Sequence, residues 1–127
     1  MENHKKKIMI VDDALFSRKL LRKVLEKASY QVVSEVESGY EAVQKYAEVK
    51  PDFVMMDIVM PRMDGISAIK SIKIIDPEAR IIIVSSIGSR DKVLQALHAG
   101  ALNFVLKPFQ PEQIIDVLQK IEEMTTI

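Results

Sequence analysis

Short apolar runs alternate along this chain with longer stretches in which apolar residues recur three and four positions apart. Ile8-Met9-Ile10-Val11, Phe53-Val54-Met55-Met56 and Ile81-Ile82-Ile83-Val84 are fully apolar, as strands covered on both faces are. Gln31 to Val36 is mixed, apolar at Val32, Val33 and Val36 and polar at Gln31, Ser34 and Glu35, which suits an edge strand. Leu102 to Leu106 reads as the last strand. Between these runs, Leu20, Val24 and Ala28 form one set four apart and Leu21 and Leu25 another, predicting a helix from about Ala14 to Ala28 with one buried face. Asp13 stands where its N-cap belongs. A second helix opens at Gly39 and runs to about Glu48, with Pro51 ending the connection. Ile66, Ile69, Ile72 and Lys73 to Ile75 carry a third from Gly65, stopped at Asp76-Pro77 because the residue before a proline is pushed out of the helical region. Ser89 or Arg90 starts a fourth, bearing Val93, Leu94, Ala96 and Leu97, with Gly100 as a left-handed cap. Pro111 lies in the first turn of a fifth, whose inner face is Ile114, Ile115, Leu118 and Ile121, and the tail from Met124 is expected to fray.

Five strands alternating with five helices, with no internal repeat, predict an α/β fold: a five-stranded parallel sheet with five helices on both faces. The polar second strand belongs at an edge, which favours the flavodoxin-like order 2-1-3-4-5. That order places its switch point between the first and third strands, where a crevice opens beyond the carboxyl ends. Asp12, Asp13 and Asp57 fall at the two sides of it.

Composition narrows the function. The 127 residues, 48% of them hydrophobic, fit one domain spanning 1–127 with its core at about 6–123. With 18 basic and 18 acidic side chains the chain has no net charge to seek nucleic acid or an anionic membrane, and Lys5-Lys6-Lys7 reads as a solubilising start. The absence of cysteine excludes disulfides and thiolate chemistry. No apolar run approaches the roughly 20 residues that span a bilayer, and the run after Lys7 is too short for a signal-peptide core. The expectation is a cytoplasmic protein.

The polar groups at the strand ends carry the chemistry. Asp12 and Asp13 follow the first strand, Asp57 the third, Ser85 the fourth and Lys107 the fifth. Three carboxylates at about 4 Å and an effective dielectric near 20 repel by on the order of 4 kcal/mol per pair, so the cluster must take up protons or recruit a cation. An all-oxygen donor set favours Mg2+, which binds one or two carboxylates plus a phosphate. Lys107 adds a positive charge and Ser85 a hydroxyl donor for a phosphoryl oxygen, and a carboxylate so placed can itself attack phosphorus. Each residue alone has a plainer explanation: Asp13 a cap, Ser85 a loop hydroxyl, Lys107-Pro108 a turn, Phe104 and the methionines packing. His4 and His98 have no partner at ligand spacing. The convergence of all the strand ends is what independent plain causes do not produce.

Val11-Asp12-Asp13, Met56-Asp57-Ile58-Val59-Met60-Pro61-Arg62-Met63-Asp64-Gly65, Ser85 and Lys107-Pro108-Phe109 resemble the signature set of the response-regulator receiver domain, from about Lys6 to Glu123. Val11 to Ala14 with Phe16 and Arg18, Ser85 to Gly88 and Lys107 to Pro111 are similar to the stand-alone, CheY-like chemotaxis regulators within it. The resemblance implies that Asp57 accepts a phosphoryl group from a sensor histidine kinase. It implies that Asp13, Asp57 and the Val59 backbone carbonyl ligate Mg2+, that Asp12 holds metal-bound water, and that Lys107 pairs with Asp57 and then with the phosphoryl group. Ser85 would move to donate to that group, Phe104 would turn into the space vacated, and the Lys107–Pro108 peptide would be cis. The face of the fourth helix, fifth strand and fifth helix would then change shape and bind a downstream protein, the flagellar motor switch or a phosphotransfer protein.

The resemblance further implies a monomer that is no enzyme beyond its own phosphorylation and dephosphorylation. Two departures from the common pattern matter: serine stands at 85 for the more frequent threonine, and Phe104 lacks the hydroxyl of tyrosine. Val59 and Ile87 offer no polar group to orient an attacking water, which predicts slow intrinsic loss of phosphate. An aspartate phosphatase is disfavoured because it needs Asp-x-Asp and a capping insertion, and a flavin module because Asp12-Asp13 would repel its phosphate. A phosphorelay intermediate and a non-phosphorylated scaffold are the remaining alternatives. With no room for an output domain, the protein is expected to act by touching another.

Overall fold

The structure is a computed structural model in which residues 5–124 are described; His4 lies outside them. Five strands, β1 (Lys7–Val11), β2 (Gln31–Val36), β3 (Phe53–Met56), β4 (Ile81–Ser85) and β5 (Asn103–Leu106), alternate with α1 (Leu15–Lys27), α2 (Gly39–Val49), α3 (Gly65–Ile75), α4 (Arg90–Ala99) and α5 (Pro111–Met124). All neighbouring strands pair in parallel. Their order is β2-β1-β3-β4-β5, with the mixed strand at one edge.

Alternation along each strand divides the core in two. Met9, Val11, Val54, Met56, Ile81 and Ile83 face one way, onto Ala42 and Tyr46 of α2, Ala68, Ile69 and Ile72 of α3 and Ala96 of α4. Ile8, Ile10, Phe53, Met55, Ile82 and Val84 face the other, onto Leu21, Val24 and Leu25 of α1 and Ile114, Leu118 and Ile121 of α5. Both faces of the central strands are covered, which is why those strands read as unbroken apolar runs. Truncating Leu25 or Leu118, both fully buried, to alanine removes roughly 2–5 kcal/mol.

Three helix starts carry side-chain caps: Ser38 accepts from the Glu41 amide, Asp64 from Ser67 and Ser89 from Lys92. Helix α1 differs from expectation. Its N-cap is Ala14, with no side-chain cap bond, and the carboxylate that accepts the Ala14 amide, at 2.9 Å, belongs to Asp12. Asp13 is therefore not the cap, and its side chain is exposed. Leu20, expected on the buried face, is 43% exposed, whereas Arg18 is buried. Gly100 does close α4 at a positive φ of 123°, and Met124 ends α5 exposed to solvent.

Candidate functional site

The carboxyl ends of β1 and β3 lie side by side, and the chain pins both of their terminal aspartates. Asp12 donates its amide to the Val36 carbonyl at 3.0 Å, and Asp57 donates its amide to the Val11 carbonyl at 2.9 Å. The Asp57 carboxylate accepts the next amide, from Ile58, at 2.7 Å through Oδ1. Its Oδ2 turns to Lys107, 3.3 Å from Nζ.

Beyond Asp57 the chain doubles back, and glycine makes that possible. The Gly65 amide donates to the Ile58 carbonyl at 2.7 Å. A Cβ at Gly65 would sit 2.3 Å from the Asp57 carbonyl oxygen, inside any van der Waals contact. Gly39 clamps the other end of the loop, donating to the Met63 carbonyl at 3.0 Å.

Lys107 reaches the pair of aspartates from β5. Its amide donates to the Ser85 carbonyl at 2.9 Å, continuing the β4–β5 pairing, and its peptide to Pro108 is cis. The ammonium lies 2.6 Å from Asp12 Oδ2 and 3.3 Å from Asp57 Oδ2, with the Ser17 hydroxyl at 3.3 Å. Burial pulls the Lys107 pKa down, but the hydrogen bond to Asp12 and the charges of Asp57 and Asp12 outweigh it and hold the group above its ordinary value. The lysine is a fixed cation.

Carboxylate oxygens of Asp12, Asp13 and Asp57 all lie within 4.8 Å of one another. Oxygens on opposite sides of a Mg2+ ion at about 2.1 Å are about 4.2 Å apart, so small side-chain rotations suffice for Asp13 and Asp57 to share one ion with Asp12 beside it. The hard, anionic donor set fits Mg2+. Exposed Asp13 has the freedom such a rotation needs, while Asp12 is held on both oxygens.

The remaining residues chosen from the sequence lie on β4, on β5 and in the loops that follow β3 and β4. Ser85 is the final residue of β4 and fully buried; its hydroxyl accepts the Ile87 amide at 3.2 Å, leaving its own proton free to donate. Phe104 pairs with Ile83 in register and packs, half-buried, against the core on the α2–α3–α4 side. Val59 and Ile87 both present exposed side chains. Sequence reasoning missed Ser17, whose only signal was a hydroxyl one turn into a helix, and gave Arg18 no role; both touch the site.

A family profile described as the response regulator receiver domain matches residues 8–119. The chain belongs to the response-regulator receiver family. It is 49% identical over 118 residues to the chemotaxis protein CheY of Thermotoga maritima, covering 93% of this chain and 98% of that one. To CheY of Bacillus subtilis it is 48% identical over 114 residues, with coverage of 90% and 95%. A solved CheX–CheY complex of Borrelia burgdorferi with BeF3 and Mg2+ contains a chain that superposes with a TM-score of 0.89 at 31% identity, covering 91% of this chain and 88% of that one. The five-stranded parallel fold expected from the strand pattern and the receiver and CheY-like resemblance of the motifs both stand, and the family is consistent with two-component signalling. Among the described residues, no helix of this receiver domain is long and apolar enough to cross a membrane.

Proposed function

We propose that this receiver domain is a CheY-like chemotaxis regulator that acts in the cytoplasm, accepting a phosphoryl group on Asp57 from the phosphohistidine of a sensor histidine kinase. The observation that carries the reading is the meeting of three carboxylates and the Lys107 ammonium at the carboxyl ends of β1, β3 and β5. Asp57 Oδ2 attacks phosphorus, the P–N bond breaks and the imidazole leaves. Asp13, Asp57 and the Val59 carbonyl would hold Mg2+, with Asp12 at one remove, and the ion would supply positive charge to offset that of the phosphoryl oxygens. Lys107, now nearer Asp12 than Asp57, swings to a phosphoryl oxygen.

The added group brings roughly one extra negative charge and strong acceptors. Ser85 donates to it, Phe104 moves into the space this leaves, and the α4–β5–α5 face changes. A partner that prefers the changed face, such as the flagellar motor switch, then binds more tightly and by linkage favours the phosphorylated state. The identity to CheY proteins and the Mg2+ in the Borrelia complex support this choice of ion and pathway.

The test is transfer from a phosphorylated histidine-kinase phosphotransfer domain, followed by mobility on a phosphate-affinity gel. Wild type is expected to take up the group with loss of label from the donor, and Asp57→Asn to take up none. Equal uptake by both proteins would refute the assignment.

A further inference from the structure

Arg18 is buried in a helix whose pattern gives no reason for it, and the phosphoryl chemistry above makes no use of it. Its side chain is 10% exposed. Nη1 donates to the Asp12 carbonyl oxygen at 2.8 Å in a buried bond. Nε donates to Glu35 Oε1 at 3.2 Å, and Nη2 lies 3.9 Å from Glu37. A planar guanidinium can hold a carbonyl and a carboxylate at once in fixed directions; a lysine ammonium cannot.

The peptide that Arg18 grips joins the two aspartates. Its oxygen is the Asp12 carbonyl and its nitrogen is the Asp13 amide, so its orientation sets the direction in which Asp13 leaves the loop. The Asp12 amide is held on Val36 and its carboxylate oxygens on the Ala14 amide and on Lys107, and beyond Asp13 the Ala14 carbonyl accepts the Arg18 amide; none of these bonds fixes the Asp12 carbonyl itself. Helix α1 brings no side-chain cap of its own to steady the turn. Losing Arg18 leaves the Asp12 carbonyl unsatisfied in a buried place, and the peptide can then rotate toward water.

We infer that Arg18 is a positioning residue for the divalent cation: by fixing the Asp12–Asp13 peptide from α1, braced against Glu35 of β2, it aims the Asp13 carboxylate at the ion. This rests on reading Asp12, Asp13 and Asp57 as the cation site. Groups that orient metal ligands from outside typically change affinity 10–100-fold when removed. Arg22 supplies an internal control, because it pairs with the same Glu35 and with Glu26 but does not bond the loop.

The experiment is a Mg2+ titration of the full chain followed by amide chemical shifts, on wild type, Arg18→Gln, Arg18→Lys and Arg22→Gln, with thermal unfolding recorded alongside. Arg18→Gln is expected to weaken Mg2+ binding by about tenfold or more, Arg18→Lys to fall between it and wild type, and Arg22→Gln to bind as wild type does. Saturating Mg2+ is expected to restore phosphorylation of Arg18→Gln by acetyl phosphate, as a loss confined to metal affinity requires. A folded Arg18→Gln that binds Mg2+ like wild type overturns the inference while leaving the cation site standing. Should Arg18→Gln not fold, wild-type affinity in Arg18→Lys overturns it equally. Absence of Mg2+ binding by wild type removes the cation site itself, and the inference with it.

Discussion

Lys107 lies nearer to Asp12, at 2.6 Å, than to Asp57, at 3.3 Å. Its ammonium occupies the charge of the carboxylate cluster and competes with any cation drawn to the same oxygens. Lys107→Met keeps the stem and removes the charge. Without Mg2+ the variant is expected to lose about 1.5–3 kcal/mol of stability, and Mg2+ is expected to raise its Tm by more than it raises that of wild type. Thermal unfolding with and without Mg2+ checks both, and equal Mg2+ shifts in the two proteins would contradict the competition.

Gly65 is where backbone meets backbone. Because its added Cβ would meet the Asp57 carbonyl oxygen and Ile58 Cα, neither of which is a flexible side-chain end, Gly65→Ala must move the Asp57 strand end. The expected cost is about 1–3 kcal/mol, together with slower phosphorylation. Denaturant unfolding measures the first, and an unchanged midpoint would show that the loop yields freely.

Acid dependence follows from Tyr46 and Asp76, joined at 2.7 Å across α2 and the end of α3. The Tyr46 hydroxyl, and then the Glu78 amide, hold the Asp76 carboxyl below its ordinary 3.8; burial, and then that same bond, hold the phenol above its ordinary 10.0. A depressed carboxyl stabilises the fold at pH above its unfolded value, and that contribution is lost as pH falls through the folded one. Tyr46→Phe is expected to lower stability by about 1 kcal/mol near neutrality. The difference from wild type narrows once pH passes below 3.8. A gap in Tm that stays constant down to unfolding would contradict the coupling.

Val59 and Ile87 flank the site with exposed hydrocarbon. Neither can orient water for attack on an aspartyl phosphate, so its decay after removal of the donor is expected to be slow, and Val59→Asn to shorten it. A wild-type lifetime of only seconds, read by intact mass, would contradict this.

Much of this was legible in the chain because burial on both faces leaves strands with no polar residue to disguise them: Ile8 to Val11, Phe53 to Met56 and Ile81 to Val84 could be little else. Strand order followed from the polarity of Gln31 to Val36. Periodicity fails within α1, where it places Leu20 inside and has no means to place Arg18, whose partner Glu35 sits on β2. A carboxylate just before a helix is the usual cap signal and points to Asp13; in the structure Asp12 reaches past it to the Ala14 amide. Ser17 beside Lys107 joins residues 90 positions apart, and nothing local in the sequence marks that meeting.

The most direct test of Asp57 as a metal-dependent phosphoryl acceptor is intact mass after incubation with acetyl phosphate, on wild type and Asp57→Ala, with and without Mg2+. Gain of one phosphoryl group by wild type with Mg2+, and by neither protein otherwise, is the expected result. A folded wild-type protein that gains nothing in the presence of Mg2+, or an Asp57→Ala variant that gains the same group, would contradict it.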